Sequence, residues 1–342
     1  MAFRELLPQT LRARELYGDF WFNSEPVPIS ALRGQVILLE FWDYSCAASL
    51  RTLPYVLEWR RRYSPYGFVV VGVHTPRFQF GKDVQHVQRG IARLGVDFPV
   101  VMDNEALIAA HYDFRAVPEI VLIDKDGFVR YRSTGDGSYA SIEHAIQALL
   151  YNAGVGEPLP LVMDPLREAD REGVVCFRST PELYAGYARG SIGNVEGYSP
   201  ESVVRYSDPG LYLDGRFYAA GDWFNGRECL RVEGGGEENP QLIFDYLGVE
   251  AEGVLLGGGA HGAEISVVQD DAYLSPEIRG EDVRTDDAGR SYLVVAEPRL
   301  YRIVRNREYG EHILRLRGSA DPVSAFAFSF TTAPIPELVS KN

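Results

Sequence analysis

The chain is poor in sulfur and has no long apolar run. Its three cysteines, Cys46, Cys176 and Cys229, are too few and too far apart for a disulfide framework, and no pair has metal-ligand spacing. That usage reads as separate, reduced thiols in a cytosol-like compartment. No apolar stretch reaches the roughly 18 residues that a membrane-spanning helix needs. The opening MAFRELLPQTLRARELYGDF has neither an apolar core nor a small-residue cleavage site. No export signal is therefore expected, and the sequence as it stands reads as cytoplasmic; an extracytoplasmic home stays open if the chain is a trimmed piece. Positive charge is also scarce: 34 Lys and Arg face 48 Asp and Glu, for a net charge of −14. Nucleic acid and anionic membrane surfaces would be repelled. The six histidines (74, 86, 111, 144, 261 and 312) show no H-x-x-x-H or H-E-x-x-H spacing, so neither a metal nor another cofactor is expected.

What remains is an ordinary globular composition, 46% hydrophobic and 24% charged, in 342 residues, enough for two or three cores. From residue 27 to 150 strand-like and helix-like segments alternate. GQVILLEFW (34–42) is a near-continuous apolar run, as a strand covered on both faces requires. ASLRTLPYVLEWRRRY (48–63) follows, with Leu50, Leu53 and Leu57 spaced for one helical face and Pro54 expected to kink it. Strands are expected at 67–75 and 98–103, helices at 82–95 and 104–114, a hairpin over 117–137 and a closing helix at 141–154. This order indicates one α/β domain.

Near residue 155 the composition shifts. GVGEPLPLVMDPLREAD is rich in proline and charge and reads as a linker. Beyond about 175 helix signals nearly vanish, and short alternating segments such as GRFYAAGDWF, QLIFDYLG, LYRIVRN and AFAFSFTT suggest an all-β sandwich or jelly roll. The glycine clusters GGGEEN and LGGGAHG lack the strand–helix setting of a phosphate loop and read as turns. The aromatics Tyr212, Phe217, Tyr218, Trp223 and Phe224 offer either a sugar-stacking platform or the core of the β half.

The chemistry centres on FWDYSCAASLRT (41–52). A strand running directly into a helix places Cys46 over unpaired backbone N–H groups and the positive end of the helix dipole, which favours a thiolate. An isolated cysteine is otherwise a small inert hydrophobe. FWDYSCAASLRTLPYV also resembles the redox loop F-W-x-x-x-C-x-x-C of thioredoxin-fold proteins of the TlpA/redoxin group. WFNSEP (21–26), LRTLPYV (50–56) and GVHTP (72–76) are similar, in this order, to segments of the soluble portion of DipZ-type thiol-disulfide proteins. TPELYAGYARG (180–190), GDWF (221–224) and EPRLYRIV (297–304) are more weakly similar to the carbohydrate-module-like sandwich appended in those proteins.

The resemblance implies a lead over 1–18, a thioredoxin-like domain over 19–154, a linker over 155–179 and a β-sandwich over 180–336. It makes Cys46 the nucleophile and Pro118 a cis-proline packed against the sulfur. Val117 would offer its backbone to an incoming peptide, and Tyr44, inside the loop, joins it as a substrate-facing position. Glu40 falls where thioredoxins carry a buried acid that helps move protons; alternatively it is a strand-end acid that reaches solvent. Trp42 matches the indole beside the loop. Ser49 departs from the pattern, standing where the resolving cysteine belongs, so no intramolecular disulfide can form in this loop. The expected activity is thiol-disulfide exchange or isomerisation through one thiol, with protein or small-molecule thiols and disulfides as partners. The alternative is a redox-inactive scaffold whose β-sandwich recognises carbohydrate or protein. A peroxidase is not expected, because the P-x-x-x-T-x-x-C pattern would need threonine where Asp43 stands and proline where Leu39 stands. His74, at a strand end, reads as a satisfied structural histidine, and Cys176 and Cys229 as packing residues.

Overall fold

In the computed structural model, residues 6–232, 240–258, 261–318 and 321–338 are described. The chain divides into two units, Met1–Glu172 and Gly173–Asn342. The first unit is built on a six-stranded sheet: β1 (Trp21–Phe22), β2 (Val36–Trp42), β3 (Phe68–His74), β4 (Val100–Met102), β5 (Glu119–Ile123) and β6 (Val129–Thr134), in the order β1-β4-β3-β2-β5-β6. Strands β2, β3 and β4 are parallel, while β5 and β6 complete the sheet as an antiparallel hairpin. Helices α1 (Ala47–Tyr63), α2 (Val84–Leu94), α3 (Leu107–His111) and α4 (Tyr139–Ala153) cover it.

Strand β2 explains its own sequence. It has a strand on each side and helices on each face, so all seven residues of VILLEFW are buried. Side chains alternate between faces. Val36, Leu38 and Trp42 pack with side chains of α1, α2 and α4, whereas Ile37, Leu39 and Phe41 pack with Ile108 and Ala109 of α3. Helix α1 continues through Pro54, which is exposed. Its buried stripe is Leu53, Val56, Trp59 and Tyr63; Leu50 and Leu57, expected on that face, are only half-buried. The aromatic residues set the helix rotation because they bury the largest areas.

Residues 155–172, read from sequence as part of a linker, are tied to the first unit. The Tyr55 hydroxyl donates to Asp170 (2.8 Å) and accepts from the Leu166 N–H (2.7 Å), while the buried Glu143 accepts from Arg62 (2.5 Å), Tyr63 (2.6 Å) and the Met163 N–H (3.0 Å). Strand β1 went unread because two residues carry no periodicity; its pairing with β4 is fixed only in three dimensions.

The second unit is β-rich and, among the described residues, holds no α-helix. Its strands are β7 (Leu183–Tyr184), β8 (Val203–Tyr206), β9 (Phe217–Asn225), β10 (Leu230–Val232), β11 (Gln241–Gly257), β12 (Ala263–Gln269), β13 (Ala272–Tyr273), β14 (Val283–Thr285), β15 (Ser291–Val295), β16 (Arg299–Arg317) and β17 (Val323–Thr331). Hydrogen bonding links them into one eleven-stranded sheet: nine strands in the order β14-β15-β12-β16-β11-β17-β10-β9-β8, with β13 paired to β12 and β7 to β17. Register shifts near Gly248 and Ala251 divide β11: its first part pairs with β9, its second with β17, and β16 follows it along both. Strand β10 joins β9 to β17, which closes a ring of four strands around the core. Phe217, Tyr218 and Trp223 are buried in this unit, with Phe217 and Trp223 in the core cluster itself, so they are not available as a sugar-stacking face. The cluster GGGEEN, read as a turn, lies outside the described residues, as does part of LGGGAHG.

A candidate thiol site at the carboxyl end of the first sheet

Because β2, β3 and β4 run parallel, their carboxyl ends lie together, and Trp42, His74 and Met102 stand level across the three strands. That is the end at which α/β sheets place functional groups. The chain leaves β2 at Trp42 and makes one tight turn, closed by the Cys46 N–H donating to the Asp43 carbonyl (3.0 Å). It then enters α1 with Cys46 as the residue that caps the helix, φ −92° and ψ 119°. Its side chain makes no capping hydrogen bond, so the sulfur sits at the helix entrance without being consumed by it.

The turn is held by Asp43, which is fully buried. One carboxylate oxygen accepts from the Ser45 N–H (2.7 Å) and the Ser45 hydroxyl (2.6 Å), the other from the Arg77 N–H (2.7 Å). The Asp43 N–H donates to the Ser49 hydroxyl oxygen at 3.3 Å. Ser49 is thus buried one helical turn into α1 and stitches the helix back to the turn before Cys46. In the sequence Asp43 figures only as the residue standing where a peroxidase would carry threonine; the signal for its structural role was the Asp-x-Ser spacing of an Asx turn.

Across from Cys46 runs the segment leading into β5. The Val117–Pro118 bond is cis, and Cys46 Sγ lies 4.0 Å from the Val117 carbonyl oxygen, with Val117 half-exposed and Pro118 buried. The structure therefore brings Cys46, Ser49, Val117 and Pro118 together. Cys46 itself is 5% exposed.

Glu40 does not reach solvent. It is level with Gly72 of β3 and Ile120 of β5, fully buried, and neither carboxyl oxygen has a hydrogen-bond partner. Burial in apolar surroundings pushes its pKa up to about 8. Alternation along β2 puts it on the Trp42 face. Trp42 fits because its neighbour in β3 is glycine: a Cβ at Gly72 would lie 2.9 Å from Trp42 Nε1 and 3.0 Å from Phe98.

Tyr44, expected to face substrate, is 1% exposed. Its ring stacks on His74 (centroids 5.4 Å apart, 18° between planes), meets Phe80 edge-on, and lies against α2 at Gly90, where a Cβ would come within 2.8 Å of the ring. The side chain fills the space between β3 and α2. His74 packs edge-on against Trp42 and is fully buried, but neither ring nitrogen has a hydrogen-bond partner. It is therefore a buried aromatic and not the satisfied histidine expected; desolvation lowers its pKa, against an opposing pull from Asp43, and keeps it neutral. Cys229 is set apart in the second unit, where burial pushes its thiol up to about 11, the behaviour of a packing residue. No cluster of potential metal ligands occurs among the described residues.

Two family patterns match the chain, Redoxin over residues 23–146 and the thioredoxin-like C-terminal domain over residues 180–331. Residues 23–146 thus match the redoxin family, and residues 180–331 match a domain found at the carboxyl side of thioredoxin-like proteins. The chain is similar to named proteins, two of them thiol-disulfide oxidoreductases. Protein DipZ of Mycobacterium bovis is 33% identical over 198 residues, covering 57% of this chain and 26% of that protein. Thiol-disulfide oxidoreductase YkuV of Bacillus subtilis is 26% identical over 137 residues, covering 40% of this chain and 92% of that protein. Thiol-disulfide oxidoreductase ResA of Geobacillus kaustophilus is 28% identical over 121 residues, 35% of this chain and 67% of that protein. The chain thus spans about a quarter of DipZ, 26% of its length. No described helix is long and apolar enough to cross a membrane.

Proposed function

We propose that the protein carries out thiol-disulfide exchange through Cys46 as a monothiol. The observation that carries this reading is the sulfur at the entrance of α1, facing the Val117 carbonyl beside cis-Pro118. The Cys46 thiolate attacks one sulfur of a partner disulfide; a Cys46–partner disulfide forms, the partner's S–S bond breaks, and its other sulfur leaves as a thiolate that takes up a proton. The Ser49 hydroxyl cannot displace a disulfide sulfur, so release requires a second thiolate, from a further cysteine of the partner outside the original disulfide or from a low-molecular-weight thiol. That thiolate attacks the partner's sulfur in the mixed disulfide; a new S–S bond forms between them, the Cys46–partner bond breaks, and Cys46 leaves as a thiolate. Overall electrons pass between the partner and the outside thiol, or remain within the partner as an isomerisation. In this reading Glu40 holds the proton that moves in each exchange, a role supported by its burial and a pKa raised to about 8. Trp42 forms the wall beside the turn, and the Val117 backbone offers a strand-like edge to the partner's chain. The β-rich unit serves as an accessory recognition module of sandwich type.

The test is a mixed-disulfide trap combined with glutathione-driven insulin reduction. Activity and a trapped adduct that both vanish in Cys46→Ser support the reading. Insulin reduction that is the same in wild type and Cys46→Ser, with no adduct formed, overturns it. The competing reading, a redox-inactive scaffold, is favoured by the 5% exposure of Cys46 and the absent resolving thiol; it predicts no labelling of Cys46 by iodoacetamide unless the first unit is unfolded.

A further inference from the structure

We infer that the first unit carries a docking cleft for a basic, apolar segment of the partner protein, two strands from the thiol. A cavity of about 490 Å³ opens beside the end of β4, and Leu16, Phe20, Trp21, Met102 and Leu107 are among the residues that line it. Three large apolar side chains around it stand in solvent: Tyr17 is 70% exposed, Phe20 48% and Leu107 62%. A soluble surface seldom clusters such residues without a partner for them. The wall is built by the fold: the Met102 N–H donates to the Phe20 carbonyl (3.0 Å), and Gly18 lets the chain press on β4, where a Cβ would strike Val101 at 2.3 Å.

Charge selects the occupant. The lining includes Asp19, Asp103 and Glu105 and no lysine or arginine. Asp103 is committed to the N–H groups of Ile108 and Ala109, which leaves Asp19 and Glu105 at the mouth. Glu105 already takes an ammonium group, that of Lys82 at 3.2 Å, in an exposed pair that an incoming cation can displace at little cost. The fitting partner is a segment that places an apolar side chain in the cavity and a Lys or Arg at its rim.

Position ties the cleft to the proposed exchange reaction, on which the inference rests. Met102 is level with Trp42 across β3, two strand spacings or about 10 Å away. An extended segment of about four to six residues spans from the cleft to the thiol.

The test uses end-blocked, fluorescein-labelled Lys-Phe-Lys and Gln-Phe-Gln peptides and fluorescence anisotropy on the full chain. Lys-Phe-Lys should bind at least about tenfold tighter at low salt, the gap closing in about 0.5 M salt. Asp19→Lys combined with Glu105→Lys, both at exposed positions, should abolish the preference, and Phe20→Ser should weaken both peptides. Equal binding of the two peptides, or a preference unmoved by the charge reversal, overturns the cleft. A second arm measures adduct formation with Cys46 from disulfide-bearing versions of both peptides. A charge-selective cleft with no adduct from either peptide means the exchange reading has failed while the cleft stands; adducts indifferent to charge and to the variants mean the cleft has failed while the exchange stands.

Discussion

Replacing Glu40 with glutamine should remove a steep pH dependence from the stability of the first unit. Glu40 is fully buried without a hydrogen-bond partner, and its pKa rises from 4.5 to about 8 on folding. Below pH 4.5 the carboxyl is protonated in folded and unfolded chains alike, and it contributes no pH dependence. Above that, the unfolded chain gives up its proton while the folded one keeps it, so stability falls until both are ionised near pH 8. The loss runs at about 1.4 kcal/mol per pH unit between these pKa values, reaching about 3 kcal/mol at pH 7 and about 4 kcal/mol at pH 8, where the folded carboxyl is half ionised. Glutamine has the same shape and no titration. The measurement is urea unfolding at pH 5, 6, 7 and 8 followed by tryptophan fluorescence; three of the four tryptophans, Trp21, Trp42 and Trp59, belong to the first unit. The stability of Glu40→Gln relative to wild type should climb by about 3 kcal/mol between pH 5 and pH 8. A difference constant to within about 0.5 kcal/mol across that range would refute the claim that Glu40 stays protonated by burial.

Restoring the second thiol with Ser49→Cys should change the kind of exchange performed. The variant should form an intramolecular disulfide under mild oxidation, seen as loss of two free thiols by mass spectrometry, and should release mixed-disulfide partners without added thiol. Tyr44→Phe removes a hydroxyl that is buried without a partner and keeps the stack on His74, so stability should be unchanged or higher by up to about 1 kcal/mol in thermal unfolding. Gly72→Ala should lower stability by about 1–3 kcal/mol and shift the tryptophan emission, because the new methyl meets Trp42 Nε1 at 2.9 Å. An unchanged melting temperature and spectrum would show that Trp42 has room to move.

Much of the first unit was legible because each signal is local. The apolar run of β2 reflects a strand covered on both faces, and the expected helices and hairpin of 117–137 all appear, with ends shifted by a few residues. Cys46 could be singled out because a strand passing straight into a helix is visible in linear order. Tyr44 could not be placed, since whether a loop aromatic points outward or into the gap between β3 and α2 depends on Gly90, forty-six residues further on. Residues 155–172 looked like a free linker because their proline and charge content says nothing about where Tyr55 and Glu143 stand. In the second unit the strands announced themselves, but the ring formed by β9, β10, β17 and β11 depends on bulges near Gly248 and Ala251 that no short-range pattern encodes.

FWDYSCAASLRT by itself determined that this stretch has one thiol, that serine stands three residues after it, and that no disulfide can close within the stretch. Those are facts of covalent chemistry and need no fold. The tertiary structure decided the rest: it buried Glu40 away from water and so raised its affinity for a proton. It turned Asp43 into the anchor of the turn, and brought Val117 and Pro118, some seventy residues distant, to within reach of the sulfur. Such properties arise from groups meeting in a low-dielectric interior, and sequence neighbours alone cannot supply that environment.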